Sequence, residues 1–180
     1  MLRTEPLPRA TFTQHSLPEA DVLVVAEVWA AEPQADVIIQ RAIGAAANAA
    51  GSAEGDCELA VMLTDDTGIR TLNANWRGLD KATNVLSFPA LAPASPPQPD
   101  DPPRMLGDIA IAYETTRREA DEEGKTFADH LSHLAVHGYL HLVGYDHEDD
   151  ADAETMEQLE RDILASLQIA DPYADRVGSE

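Results

Sequence analysis

Residues 137–147 read HGYLHLVGYDH. In a helix, side chains four positions apart stand one above the other, with Cβ atoms about 5–6 Å apart. His137 and His141 therefore face one point from one helical stripe. Gly144 stands where a helix end takes a left-handed residue, a conformation that glycine adopts without a Cβ penalty. The chain reverses there, and His147 comes back toward the same point. Three neutral imidazoles leave a fourth tetrahedral position open, the pattern of a catalytic and not a structural zinc. Nitrogen ligands without thiolates suit Zn²⁺ best, with nickel, cobalt or copper as substitutes in vitro. The expectation is one Zn²⁺ per chain on His137, His141 and His147.

The spacing H-x3-H-x2-G-x2-H is also that of the extended zinc motif of metzincin proteases. Those enzymes carry a glutamate directly after the first histidine as general base, and here that position is Gly138. Peptide cleavage requires protonation of the leaving amine, so the missing base counts against a protease. His130 and His133 lie on roughly the same helical face, as partners of the ligand rings or as satisfied core histidines. Asp146 either orients an imidazole or caps the following helix. Met156 sits on an apolar helical stripe and reads as core, not as a metzincin methionine turn.

Phosphodiester cleavage needs positive charge around the crowded oxygens of phosphorus. The chain as a whole does not offer it: 12 Lys and Arg face 33 Asp and Glu, a formal charge of −21 with a pI near 4.3. That balance excludes broad, non-specific nucleic-acid binding. Its distribution is uneven, however. Between Thr67 and Pro99 the charged residues are Arg70, Arg77 and Lys81 against Asp80, a basic island. Arg77 closes a short helix and is followed by Gly78, and its planar fork matches phosphate as lysine cannot. An ordinary ion pair with Asp80 is the competing reading. By contrast, Asp146–Asp162 holds nine acids against Arg161 alone and reads as a solvated helix face.

The 180 residues, 44% of them hydrophobic, fit one domain with a real core. Residues 1–19, with three prolines and no apolar signal region, read as a loosely ordered lead-in, and 20–175 as a single domain. No stretch is long and apolar enough to span a membrane. The single cysteine, Cys57, excludes an internal disulfide, suits a reducing cytoplasm and reads as a small buried residue. Strands are expected over 21–28, 58–64, 84–88 and 107–112. Helices are expected over 36–50, 67–77 with Asp66 as cap, 115–123, 126–143 and 150–167. In the second of these Ile69, Leu72 and Trp76 recur at helical spacing; in the last Met156, Leu159, Ile163 and Leu167 form the buried stripe. The proline-rich segment 93–103 cannot sit in a helix or central strand and reads as a surface excursion between neighbouring strands. Without a regular βαβ rhythm, the fold class is α+β: a small mixed β-sheet of about four strands packed with about five helices, metal-hydrolase-like.

Together with NWRGLDKATNVLSFP and LGDIAIA, the histidine stretch resembles the YbeY family of bacterial endoribonucleases and rRNA maturation factors. The similarity runs in order from about Glu58 to Tyr173. The resemblance implies zinc on His137, His141 and His147, and a functionally important arginine, Arg77. The RG-x-D-K-x-T-[DN]-V-L-S-F block adds Lys81 and Ser87 as candidate substrate-binding residues. It further implies single-strand-specific cleavage in small-subunit (16S) rRNA 3′-end maturation and a part in ribosome quality control. The partners expected are single-stranded rRNA, the small ribosomal subunit and ribosomal or assembly proteins, with no membrane. Two alternatives remain: a non-catalytic, zinc-containing ribosome assembly factor, and a metalloprotease-like hydrolase.

Overall fold

A computed structural model describes residues 17–51, 56–91, 98, 100–146 and 149–174. Four strands form one mixed sheet in the order β1-β2-β4-β3. They are β1 (Glu19–Val24), β2 (Cys57–Thr64), β3 (Val85–Pro89) and β4 (Arg104–Ala112). β1 and β4 flank β2 in parallel, and β3 returns antiparallel along the outer edge of β4. Five helices accompany the sheet: α1 (Ala35–Ala50), α2 (Asp66–Arg77), α3 (Tyr113–Glu122), α4 (Phe127–Leu142) and α5 (Asp150–Ser166). The α+β expectation therefore stands. Among the described residues no helix is long and apolar enough to cross a membrane.

Strand alternation assigns the helices to faces. Leu59, Val61 and Leu63 of β2 and Ile109 and Ile111 of β4 join the main core with α1, α4 and α5. Leu86 of β3 and Ala110 and Ala112 of β4 point the other way, where Ile69 of α2 covers them. α1 is mostly alanine on its buried side, with Ala42, Ala46 and Ala47 beside Ile39 and Ile43. Small residues let it lie close against α4, so α4 is enclosed and reads as nearly continuous apolar sequence. Cys57 is buried at the start of β2.

Several boundaries shift for visible reasons. β1 ends at Val24, not Val28, because Trp29 turns inward on a 3₁₀ turn (Glu27–Ala31) and donates Nε1–H to the Thr64 carbonyl at 2.8 Å. The cap of α2 is Asp65, whose carboxylate accepts from the Gly68 N–H at 2.7 Å; the expected cap, Asp66, instead accepts from the N–H and hydroxyl of Thr115. Trp76 departs furthest from its periodicity: Ile69 is buried, but Trp76 is 72% exposed and leans on Phe88 with ring centroids 5.9 Å apart. α2 covers only the narrow β3–β4 end of its face, so its last turn overhangs the sheet. The expected lead-in lies mainly, and the proline-rich excursion partly, outside the described residues. β3 and β4, which the excursion joins, are neighbours as expected, and they pair antiparallel.

Candidate functional site

α4 delivers the histidines. Thr126 caps it by accepting from the Asp129 N–H at 3.0 Å, and Gly144 follows its C-terminus at φ 100°. His137 and His141 are one turn apart on the same stripe, half-buried, with their Nε2 atoms 3.1 Å apart. His147 lies outside the described residues. Among the described residues no group of three His, Cys, Asp or Glu side chains gathers as metal ligands.

The other ring nitrogens determine what the facing pair can do. His141 Nδ1 lies 3.0 Å from the Tyr145 carbonyl oxygen, and His137 Nδ1 lies 2.6 Å from Glu160 Oε1. A carbonyl or an ionised carboxylate only accepts, so both Nδ1 atoms carry the proton. In the neutral rings each Nε2 then presents a lone pair to the other, and neither can donate. Such a pair suits a cation shared between them. At zinc–nitrogen distances of about 2.0–2.1 Å, two tetrahedral ligands stand about 3.3 Å apart, close to the spacing here. An Nδ1–H held by a carboxylate or carbonyl is also the usual outer support of a metal-binding imidazole.

Glu160 was not legible as a site residue. It belongs to the acidic run read as a solvated face, yet it is 0% exposed. Besides His137 it meets His133 Nε2 at 3.4 Å and accepts a short hydrogen bond from the Tyr173 hydroxyl. Burial acts to raise its carboxyl, but the hydrogen bonds from His133 and His137 outweigh this and hold it well below the ordinary carboxylate range. The missed signal is its phase: four residues after Met156 and three before Ile163, it falls on the buried stripe of α5. His130 has a separate partner, with Nε2 2.8 Å from Glu119 Oε2, which also accepts from Asn84 Nδ2 at 2.9 Å. Asp146 is not the cap of α5; Asp149 is, accepting from the Asp152 N–H at 2.8 Å. Met156 is core.

Gly138 faces the sheet. A Cβ there would stand 3.0 Å from both Ile109 Cδ1 and Cγ2, so α4 lies tight against β4 at this point. The Ser87 hydroxyl donates to the Gly138 carbonyl at 3.3 Å from β3. A glutamate directly after His137 would point into packed core, and its absence is a packing requirement.

His141 opens into a cleft of about 790 Å³, whose described walls include Pro89, Arg104, Leu106, Tyr145 and Asp146. Arg77 and Lys81 are not among these. Arg77 ends α2, on the opposite face of the sheet from α4, and both cations are exposed. Arg70, not Arg77, takes Asp80, through two hydrogen bonds of 2.7 and 2.9 Å. Arg77 and Lys81 have no ion pair among the described residues.

A family model described as Endoribonuclease YbeY matches residues 26–168. A Nitrobacter winogradskyi protein named Endoribonuclease YbeY is 69% identical over 157 residues, spanning 87% of this chain and 83% of its own. A protein of the same name from Bradyrhizobium diazoefficiens is 64% identical over 169 residues, 94% of this chain and 92% of its own. Among solved structures, a Thermotoga maritima protein determined in solution superposes with a TM-score of 0.51 at 23% identity, covering 83% of this chain and 91% of that one.

Proposed function

The chain belongs to the YbeY family of endoribonucleases and is an RNA-cleaving hydrolase, and from that premise we propose that it is zinc-dependent and specific for single strands. Its substrate is small-subunit (16S) rRNA, cut during 3′-end maturation and ribosome quality control in the cytoplasm. The observation that carries the metal reading is the facing His137 and His141 Nε2 pair, with both Nδ1 protons held elsewhere. His147 is the third ligand in this reading. Zinc, when bound, supplies Lewis acidity toward water and phosphate oxygens at neutral pH.

The chain's own residues do the rest. Glu160 keeps the proton of His137 on Nδ1, and the Tyr145 carbonyl does the same for His141, so both rings stay turned toward one point. Arg77 and Lys81 stand outside the His141 cleft, so in this reading the RNA spans from the end of α2 to the histidines, with Arg77 neutralising phosphate charge and Lys81 holding the backbone beside it. Ser87 ties β3 to α4 next to His137 and keeps this edge in register with the site. The exposed Trp76 ring offers a stacking surface to an unpaired base, and a duplex has none to give. With a net charge of −21, affinity comes from these local groups and from the ribosomal subunit or a protein partner on it.

Elemental analysis and a cleavage assay on single-stranded 16S 3′-end RNA test the reading. The expected result is one zinc per chain, with Arg77→Ala retaining zinc but losing cleavage and His141→Ala losing both. Undiminished cleavage after complete metal removal overturns the zinc reading. Unaltered 16S 3′ ends in cells lacking the protein overturn the substrate.

A further inference from the structure

The strongest unassigned feature of the cleft is a cation. Arg104 opens β4, and its backbone N–H donates to the Asp56 carbonyl at 2.8 Å, which pins the residue at the cleft wall. Its side chain lines the same cleft as His141, and Nε is buried without a hydrogen-bond partner. No ion pair reaches Arg104 among the described residues. None of the carboxylates among the described residues pairs with this guanidinium. A buried N–H without an acceptor is costly, and an anion held in the cleft would supply one.

The rest of the cleft says which anion. About 790 Å³ is ample for a nucleotide. Leu106 and Pro89 give apolar surface for ribose or base, and Asp146, the one acid among the described lining residues, is exposed to solvent. The guanidinium is a planar fork that meets phosphate oxygens in pairs. We propose that Arg104 is a phosphate-holding residue of the cleft, gripping the backbone of single-stranded RNA beside the bond presented at His141. This rests on the endoribonuclease reading and adds a cation to it. Arg77 works from the end of α2, and Arg104 works from the cleft wall. Because it grips backbone and not bases, Arg104 adds affinity and register without sequence preference.

The test is binding of a labelled 2′-O-methyl single-stranded oligoribonucleotide to the zinc-loaded protein, by fluorescence anisotropy from about 50 to about 200 mM salt. Arg104→Gln should weaken binding about tenfold at low salt. It should also flatten the slope of log affinity against log salt by about 0.7, one phosphate's share on a single strand. Arg104→Lys keeps the charge and should keep the slope. Zinc content and melting temperature, measured on each variant, report whether the fold and metal are retained. A second arm needs no variant: the Arg104 Nε–H resonance of the ¹⁵N-labelled wild type should move when the oligoribonucleotide binds. An unchanged slope in folded, zinc-replete Arg104→Gln overturns the assignment, as does an unmoved Nε–H at saturation. If the wild type cleaves RNA, either result removes only Arg104's role; a wild type that neither binds nor cleaves RNA overturns the parent reading.

Discussion

Replacing Gly138 by alanine puts a methyl group where α4 lies tight against β4. That carbon would stand 3.0 Å from Ile109 Cδ1 and Cγ2 and 3.3 Å from Cγ1. Ordinary carbon–carbon contacts lie at about 3.5–4.0 Å, and both residues are buried, so Ile109 must leave its rotamer or the helix must lift from the sheet. Overpacking of this kind costs about 1–3 kcal/mol. Against it, alanine in a helix interior is better than glycine by about 1 kcal/mol. The net expectation, about 0–2 kcal/mol of destabilisation, is too small to decide the matter alone. A double-mutant cycle with Ile109→Ala decides it. That change removes all three contacting atoms, at a cost of about 2–5 kcal/mol of its own. In its background Gly138→Ala should stabilise by about 1 kcal/mol, giving a coupling of about 1–3 kcal/mol. Urea unfolding of the four proteins reads the cycle. Additivity within about 0.5 kcal/mol would refute the claim that Gly138 exists to admit the sheet. Gly138→Glu would bury a carboxylate in the same place and should abolish the native fold.

Three further outcomes follow from the same geometry. Asp65→Ala removes the cap of α2, the helix that carries Arg77, and should lower the unfolding free energy by about 0.5–2 kcal/mol in urea titration. Glu160→Gln keeps the shape but not the charge behind His137; zinc affinity, measured by chelator competition, should fall about 10–100-fold, and an unchanged affinity removes Glu160 from the site. Glu119 gives a pH signature. Burial acts to raise its carboxyl, but hydrogen bonds from His130 and Asn84 outweigh this and hold it below its ordinary 4.5. A lowered folded-state pKa contributes stability above the unfolded value that is lost as pH falls through the folded one. The stability gap between wild type and Glu119→Gln should therefore be full at neutral pH and shrink below about 4.5 in urea unfolding.

What the sequence discloses depends on whether a residue's role is local. His137 and His141 are readable because helical spacing alone places them together, and Gly144 because its left-handed backbone is a local demand. Strand and helix types are readable for the same reason, since alternation and periodicity are properties of short windows. Trp76 was misplaced because burial depends on how far a neighbouring element extends, and α2 overhangs its sheet. Glu160 was hidden in a run of acids, although its phase among Met156, Ile163 and Leu164 marked it as inward. A buried carboxylate on an apolar stripe needs a partner from elsewhere, and here the partners come from α4 and Tyr173. Arg104 carried no signal at all. Its place comes from lining one cleft with His141, a cleft built by segments far apart in the chain.

Gly138 shows why a motif's spacing and its chemistry separate. The interval from His137 to His147 matches that of metzincins because helical spacing and a glycine at a helix end are local demands that arise in any fold. The residue beside the first histidine is chosen by what packs against that face of the helix. Here Ile109 occupies the space and β3 ties itself to the Gly138 carbonyl through Ser87, so a base cannot stand there. Groups that assist the chemistry must then come from the open side of the histidine pair. At His141 that side is the cleft with Arg104, Tyr145 and Asp146, and at His137 it is a smaller pocket with Lys125, Glu119, His130 and His133. A site that opens beside a guanidinium, with Gly138 where a base would follow His137 in the chain, favours a substrate that carries its own negative charge. The same physical reasoning that removes the protease base therefore also selects a phosphodiester.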